Sequence, residues 1–175
     1  MSKPNFEILD SLPTYGPMYI SVTENNESYF QEGFVVKFFQ NDGNFWVGNF
    51  KTGWSNLNKV FDITAQNKIL VIAGGLAYLM TPENQKPLKI FGLDFKYYFE
   101  YKNLIILSTN TEITIVNIDN GNIWTSKRIS WDGIENLRIE NNILIGECYD
   151  PTNSTEEWSE FSLNIDMKEI NGGSW

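Results

Sequence analysis

Between Lys96 and Ile129 the chain passes through four short runs, each parted from the next by a few polar residues. They are Lys96 to Tyr101, Asn103 to Thr109, Glu112 to Asp119 and Asn122 to Ile129. Three of them are rich in β-branched and aromatic side chains, which pack well on a pleated surface. The passage therefore reads as four consecutive antiparallel strands. Aromatics make up 15% of the chain and alanine is scarce, so no long helix is expected.

The same grammar recurs on both sides. Gly33 to Phe39 and Asn44 to Phe50 flank Asn41-Asp42-Gly43. An Asp-Gly pair between apolar runs marks a hairpin, because glycine accepts positive φ without a Cβ clash. Val60 to Ile63, Asn67 to Ile72, Leu76 to Met80 and Pro87 to Phe91 repeat the order of strand types, as do Asn136 to Ile139, Asn142 to Gly146, Trp158 to Ile165 and Lys168 to Ile170. Aligning the second strands brings Phe34, Ile69, Leu104 and Ile143 into register at intervals of about 35 to 39 residues, a period typical of strand-built repeats. On this alignment Ile69, Val71, Leu104, Ile106, Ile143 and Ile145 face an apolar interior. The reading is one all-β domain over residues 1–175, with repeat units at 29–58, 59–93, 94–130 and 131–173. An irregular leader over 1–28 contributes one strand, Met18 to Val22.

The four units resemble short, degenerate β-propeller blades, although they lack the Gly-His and Trp-Asp landmarks of WD-type repeats. The resemblance implies an antiparallel meander of about four hairpin-based repeats. A twisted β-sandwich or a partly open barrel built from the same hairpins would also manage its edge strands, and both remain alternatives.

Thirteen Lys and Arg stand against 22 Asp and Glu, net −9, and there is no histidine. Such a surface repels phosphate backbones, which argues against nucleic acid, and it speeds encounter with a basic protein partner. The longest apolar run, Ile69 to Met80, contains two glycines and is too short to span a bilayer, so no membrane role is expected. The first residues, Met1 to Glu7, lack the apolar run of a signal peptide, and Cys148 has no second cysteine to pair with. A reducing cytoplasm is the simplest location.

The lack of histidine removes the usual general base of Ser and Cys hydrolases and the commonest metal ligand. Cys148 has Glu147 beside it and no adjacent cation to stabilise a thiolate, so it reads as a small structural residue. Paired carboxylates could still serve a glycosidase, but Asp42, Asp119, Asp132 and Asp166 sit in turn contexts, where Asp bonds its own backbone. No catalytic residue and no cofactor are assigned. The acidic stretch Glu147, Asp150, Glu156, Glu157 and Glu160 lacks the alternate-residue spacing and central glycine of a calcium loop, so no metal is assigned either. It reads as a hairpin loop that forms a partner-binding site together with Trp131 and Trp158. Trp46 and Trp124 lie in apolar strands and read as core, whereas Trp54, Trp131 and Trp175 lie in turn or terminal positions and read as exposed.

The final unit contains Trp131-Asp132-Gly133-Ile134 and Tyr149-Asp150-Pro151, and it ends on Ile170-Asn171-Gly172-Gly173-Ser174. Over about 45 residues it resembles the ends of small bacterial proteins of the immunity type. That resemblance implies a non-catalytic binding module that neutralises a basic toxin. The alternatives are a carboxylate-based glycoside hydrolase or carbohydrate-binding domain, and a structural subunit of a larger assembly.

Overall fold

The computed structural model describes residues 5–63 and 67–175, which form sixteen strands in four sheets of four. The first sheet comprises β1 (Phe6–Leu9), β2 (Ile20–Val22), β3 (Phe34–Phe39) and β4 (Phe45–Phe50) in the order β1-β3-β4-β2. The second is a meander of β5 (Lys59–Ile63), β6 (Lys68–Ala73), β7 (Leu76–Thr81) and β8 (Asn84–Phe91). The third is a meander of β9 (Tyr97–Tyr101), β10 (Leu104–Ser108), β11 (Ile113–Asn117) and β12 (Ile123–Thr125). The fourth runs through β13 (Ile134–Glu140), β14 (Ile143–Tyr149), β15 (Trp158–Asn164) and β16 (Glu169–Gly172). The chain is thus all-β and propeller-like in its elements, with four blade-like sheets of four strands. Among the described residues no helix is long and apolar enough to cross a membrane.

The Asp42-Gly43 signal does what its chemistry requires. Gly43 takes φ of +88°, its N–H donates to the Gln40 carbonyl, and Phe39 and Phe45 face each other where the hairpin closes. The leader differs from the expectation of one strand. It supplies two, with β1 antiparallel to β3 and β2 parallel to β4. A lone two-stranded hairpin buries too little surface to be stable, and these additions widen the first repeat to the four strands of the others.

The chain divides into two compact units, residues 1–95 with the 117–121 turn, and residues 96–116 with 122–175. In the first, Phe38, Phe50, Ile69, Val71 and Tyr78 form one buried cluster. Trp46 lies in it as expected, stacked on Phe38 at 4.4 Å, with its indole N–H donating to the Pro82 carbonyl at 2.7 Å. Glycines let a connecting segment lie flat on the second sheet. Gly53 N–H donates to the Ala73 carbonyl, Trp54 N–H to that of Leu93 and Ser55 N–H to that of Gly74, leaving no room for a side chain at Gly53.

In the second unit Leu104, Ile106, Ile113, Ile115, Leu144, Cys148, Phe161 and Leu163 form the buried cluster, and Trp124 packs against it half-buried. Ile69, Val71, Leu104 and Ile106 are buried as expected, but Ile143 and Ile145 are not. Strand β14 instead buries Leu144, Gly146 and Cys148 and turns Ile143, Ile145, Glu147 and Tyr149 the other way. Side chains alternate with a period of two, so an alignment one residue out places every member on the wrong face. Central strands β6 and β10 are apolar on both faces and conceal such an error. Strand β14 is fully buried on one face only, which makes the error visible.

Candidate functional site

The face of the fourth sheet that carries Glu147 holds a row of carboxylates. Glu135 of β13 lies opposite Glu147 of β14, and Glu147 lies opposite Glu160 of β15, so three acidic side chains line up across three adjacent strands. Directly opposed like charges destabilise a sheet. Two polar neighbours relieve part of this. Arg138 reaches Glu160 at 3.6 Å and Glu140 at 2.9 Å, and the Asn136 side-chain amide donates to Glu147. Hydrogen bonding to Glu140, and then the charges of Glu140 and Glu160, raise the Arg138 pKa further above its ordinary value. The ion pairs are exposed and heavily screened, so the row keeps most of its negative potential.

Beside this row the next paired positions are aromatic. Tyr149 faces Trp158 across the β14–β15 ladder, and their rings meet edge to face at 5.6 Å. Gly133 allows this, because a Cβ there would lie 3.0 Å from the outer edge of the Trp158 indole. Of the residues expected in the site, Glu147, Glu160 and Trp158 are brought together on this face. Asp150, Glu156 and Glu157 lie at the end of the same hairpin.

Within that hairpin Asp150 has a structural task. Its carboxylate accepts from the Thr152 N–H at 2.9 Å and the Thr152 hydroxyl at 2.7 Å, bonds that hold its pKa below the usual carboxylate range. Asn153 repeats the arrangement with Thr155, and Asp150 N–H donates to the Glu157 carbonyl at 2.7 Å. Glu156 and Glu157 are exposed and hold the loop's outward charge.

Trp131 belongs to a neighbouring cluster. It meets Trp175 edge to face at 4.3 Å, while the Arg128 guanidinium lies 4.0 Å over the Trp175 ring and donates to the Ser130 and Trp131 carbonyls. Trp54, Trp131 and Trp175 are all exposed, as their turn and terminal positions suggested. Glu135, Tyr149 and Arg128 escaped the sequence reading. The alternation Glu147-Cys148-Tyr149 could have put Tyr149 beside Glu147, but Glu135 becomes a neighbour only once β13 pairs with β14.

Cys148 lies on the opposite, buried face, where burial pushes its thiol from about 9 up to about 11. The buried form is neutral, so this contribution to stability is complete below pH 9 and is lost as pH rises towards 11. At pH 8 the thiolate fraction in the folded protein should be on the order of a hundredfold below that of the unfolded chain. Labelling with a thiol reagent, with and without denaturant, checks this. Equal rates in both states would show Cys148 to be as accessible and as readily ionised as in the unfolded chain.

Among the described residues no three His, Cys, Asp or Glu side chains are placed to hold a metal ion. No protein-family model and no curated protein matches the chain. Its similarity is to solved structures and concerns shape. The computationally designed Ika4 protein matches at 12% identity with a TM-score of 0.41, over 62% of this chain and 66% of that one. The N-terminal domain of Nup159 matches at 11% identity with a TM-score of 0.40, over 69% of this chain and 34% of that one. The designed Ika8 protein matches at 13% identity with a TM-score of 0.39, over 84% of this chain and 48% of that one. The chain thus spans less than two thirds of each of these chains' own length.

Proposed function

We propose that the protein acts by binding, without catalysis, and captures a basic protein partner on the outer face of its fourth sheet. The row Glu135–Glu147–Glu160 beside the Tyr149–Trp158 pair supports this reading. The row carries a repulsion that a cationic partner would relieve, and the adjoining aromatic pair offers an anchor that excludes water. Glu156 and Glu157 extend the negative field beyond the sheet edge. Neutralising a basic toxin domain in the cytoplasm is the specific role we infer. Long-range attraction speeds capture, and preformed strands lose little ordering entropy on binding.

Copurification of the tagged protein from its source cells, followed by mass spectrometry, identifies the companion. Stopped-flow binding at two salt concentrations then tests the site. Charges at the rim set the association rate, so Glu156→Gln with Glu157→Gln should slow association and flatten its salt dependence, with dissociation nearly unchanged. Trp158→Ala should speed dissociation and cost about 2 kcal/mol or more in affinity if Trp158 is the anchor. A companion that is not basic, or unchanged kinetics in the double variant, would remove this face from consideration.

A further inference from the structure

A cleft of about 350 Å3 opens in the second unit, lined by Tyr97, Phe99, Glu135, Asn136 and Leu137. It lies between β9, an edge strand of the third sheet, and β13, an edge strand of the fourth. Asn136 takes a left-handed φ of +52° where β13 bulges against β14. Its side-chain amide donates to Glu147, which connects the cleft to the carboxylate row. Phe99 and Leu137 pack back on the buried cluster as an apolar floor, while Tyr97 stays 46% exposed and Glu135 exposed at the rim.

The chain repeatedly sets cations over aromatic rings. Lys37 lies 4.4 Å from the Phe45 centroid, Arg128 4.0 Å from that of Trp175, and Lys102 5.0 Å from that of Tyr101. Tyr101 shares its face of β9 with Phe99 and Tyr97, as period-two alternation requires. Among the described residues, no cation lies over Tyr97 or Phe99, and Glu135 forms no ion pair. The cleft therefore combines a free ring, a free carboxylate and an apolar floor, in a protein of net charge −9.

We propose that this cleft receives an arginine side chain of the partner. The guanidinium stacks on Tyr97, its N–H fork donates to the Glu135 carboxylate, and its methylene stem lies along Phe99 and Leu137. Arginine suits the site better than lysine because its planar, weakly hydrated head can stack on a ring and bind a carboxylate at two points together. The inference rests on the reading that the partner is a basic protein. Its first test uses a small probe in place of the partner.

The full chain is titrated with N-acetyl-arginine amide, with the neutral isostere N-acetyl-citrulline amide in parallel, and amide NMR shifts are followed. The expected result is saturable shifts at Glu135, Asn136 and Leu137, with citrulline binding far more weakly. Glu135→Gln and Tyr97→Ala, both at exposed positions, should each weaken arginine binding about tenfold while the other resonances keep their folded pattern. Glu24→Gln, at an exposed carboxylate of the first unit, should leave it unchanged. Shifts that never saturate, that spread evenly over the carboxylates, or that saturate at the same arginine concentration in Glu135→Gln overturn the inference. Saturable binding here with no basic companion on copurification keeps the cleft as an arginine acceptor and overturns the partner reading. A basic companion that binds Tyr97→Ala with unchanged kinetics overturns the cleft and leaves that reading in place.

Discussion

Replacing Gly53 by Ala should destabilise the first unit by about 3 kcal/mol or more, because nothing around it can move independently. An added Cβ would overlap the Leu93 carbonyl oxygen and lie 2.8 Å from the Gly74 carbonyl oxygen and 2.9 Å from the Leu76 nitrogen. These are backbone atoms. A flexible side chain can swing aside, but relief here requires the segment to leave the sheet and forfeit the bonds from Gly53, Trp54 and Ser55 to Ala73, Leu93 and Gly74. Gly43→Asn is the comparison. Nothing lies within 4 Å of its Cβ position, and asparagine tolerates left-handed backbone, so its cost should stay within about 1 kcal/mol. Urea denaturation followed by tryptophan fluorescence measures both. If Gly53→Ala proves as mild as Gly43→Asn, the segment does not lie on the second sheet as described.

Truncating Leu144 to Ala should cost about 2–5 kcal/mol, and the same change at Ile145 about 1 kcal/mol. Leu144 is fully buried in the second unit's cluster, where removing its side chain leaves a cavity among Phe161, Leu163 and their neighbours. Ile145 stands on the outer face opposite Ser162 and Arg138 and is only half-buried. Adjacent residues of equal hydrophobicity thus separate the observed register from the one read by alignment, which placed Ile145 inside. Thermal melts of the two variants settle the matter. A larger loss at Ile145 would reverse the assignment of faces in β14.

Apolar, β-branched and aromatic runs with polar breaks established antiparallel strands, because period-two alternation and turn chemistry act within a few residues. Asp42-Gly43 determined its own hairpin, and residues 59–93, 94–130 and 131–173 each contain one complete four-stranded sheet. Repetition also located the second strand of each unit, though in the last it could not say which side faced inward. A loop of altered length between units changes parity at no local cost, so only packing decides the buried face.

Leader strands β1 and β2 were partly hidden for a related reason. They are short, and their place depends on the edges of a hairpin that comes later in the chain. The acidic stretch from Glu147 to Glu160 was legible as charge, but its division was not. Local hydrogen bonds commit Asp150 to its own loop, while cross-strand pairing sets Glu147 and Glu160 beside Glu135. The cleft between β9 and β13 was wholly a product of the tertiary structure. Tyr97 and Glu135 are far apart along the chain, and no local rule of strand or turn formation relates them. Composition and local pattern determined the class of fold and the sign of the surface charge, whereas the pairing of strands and the packing of sheets decided which carboxylates and rings share a site.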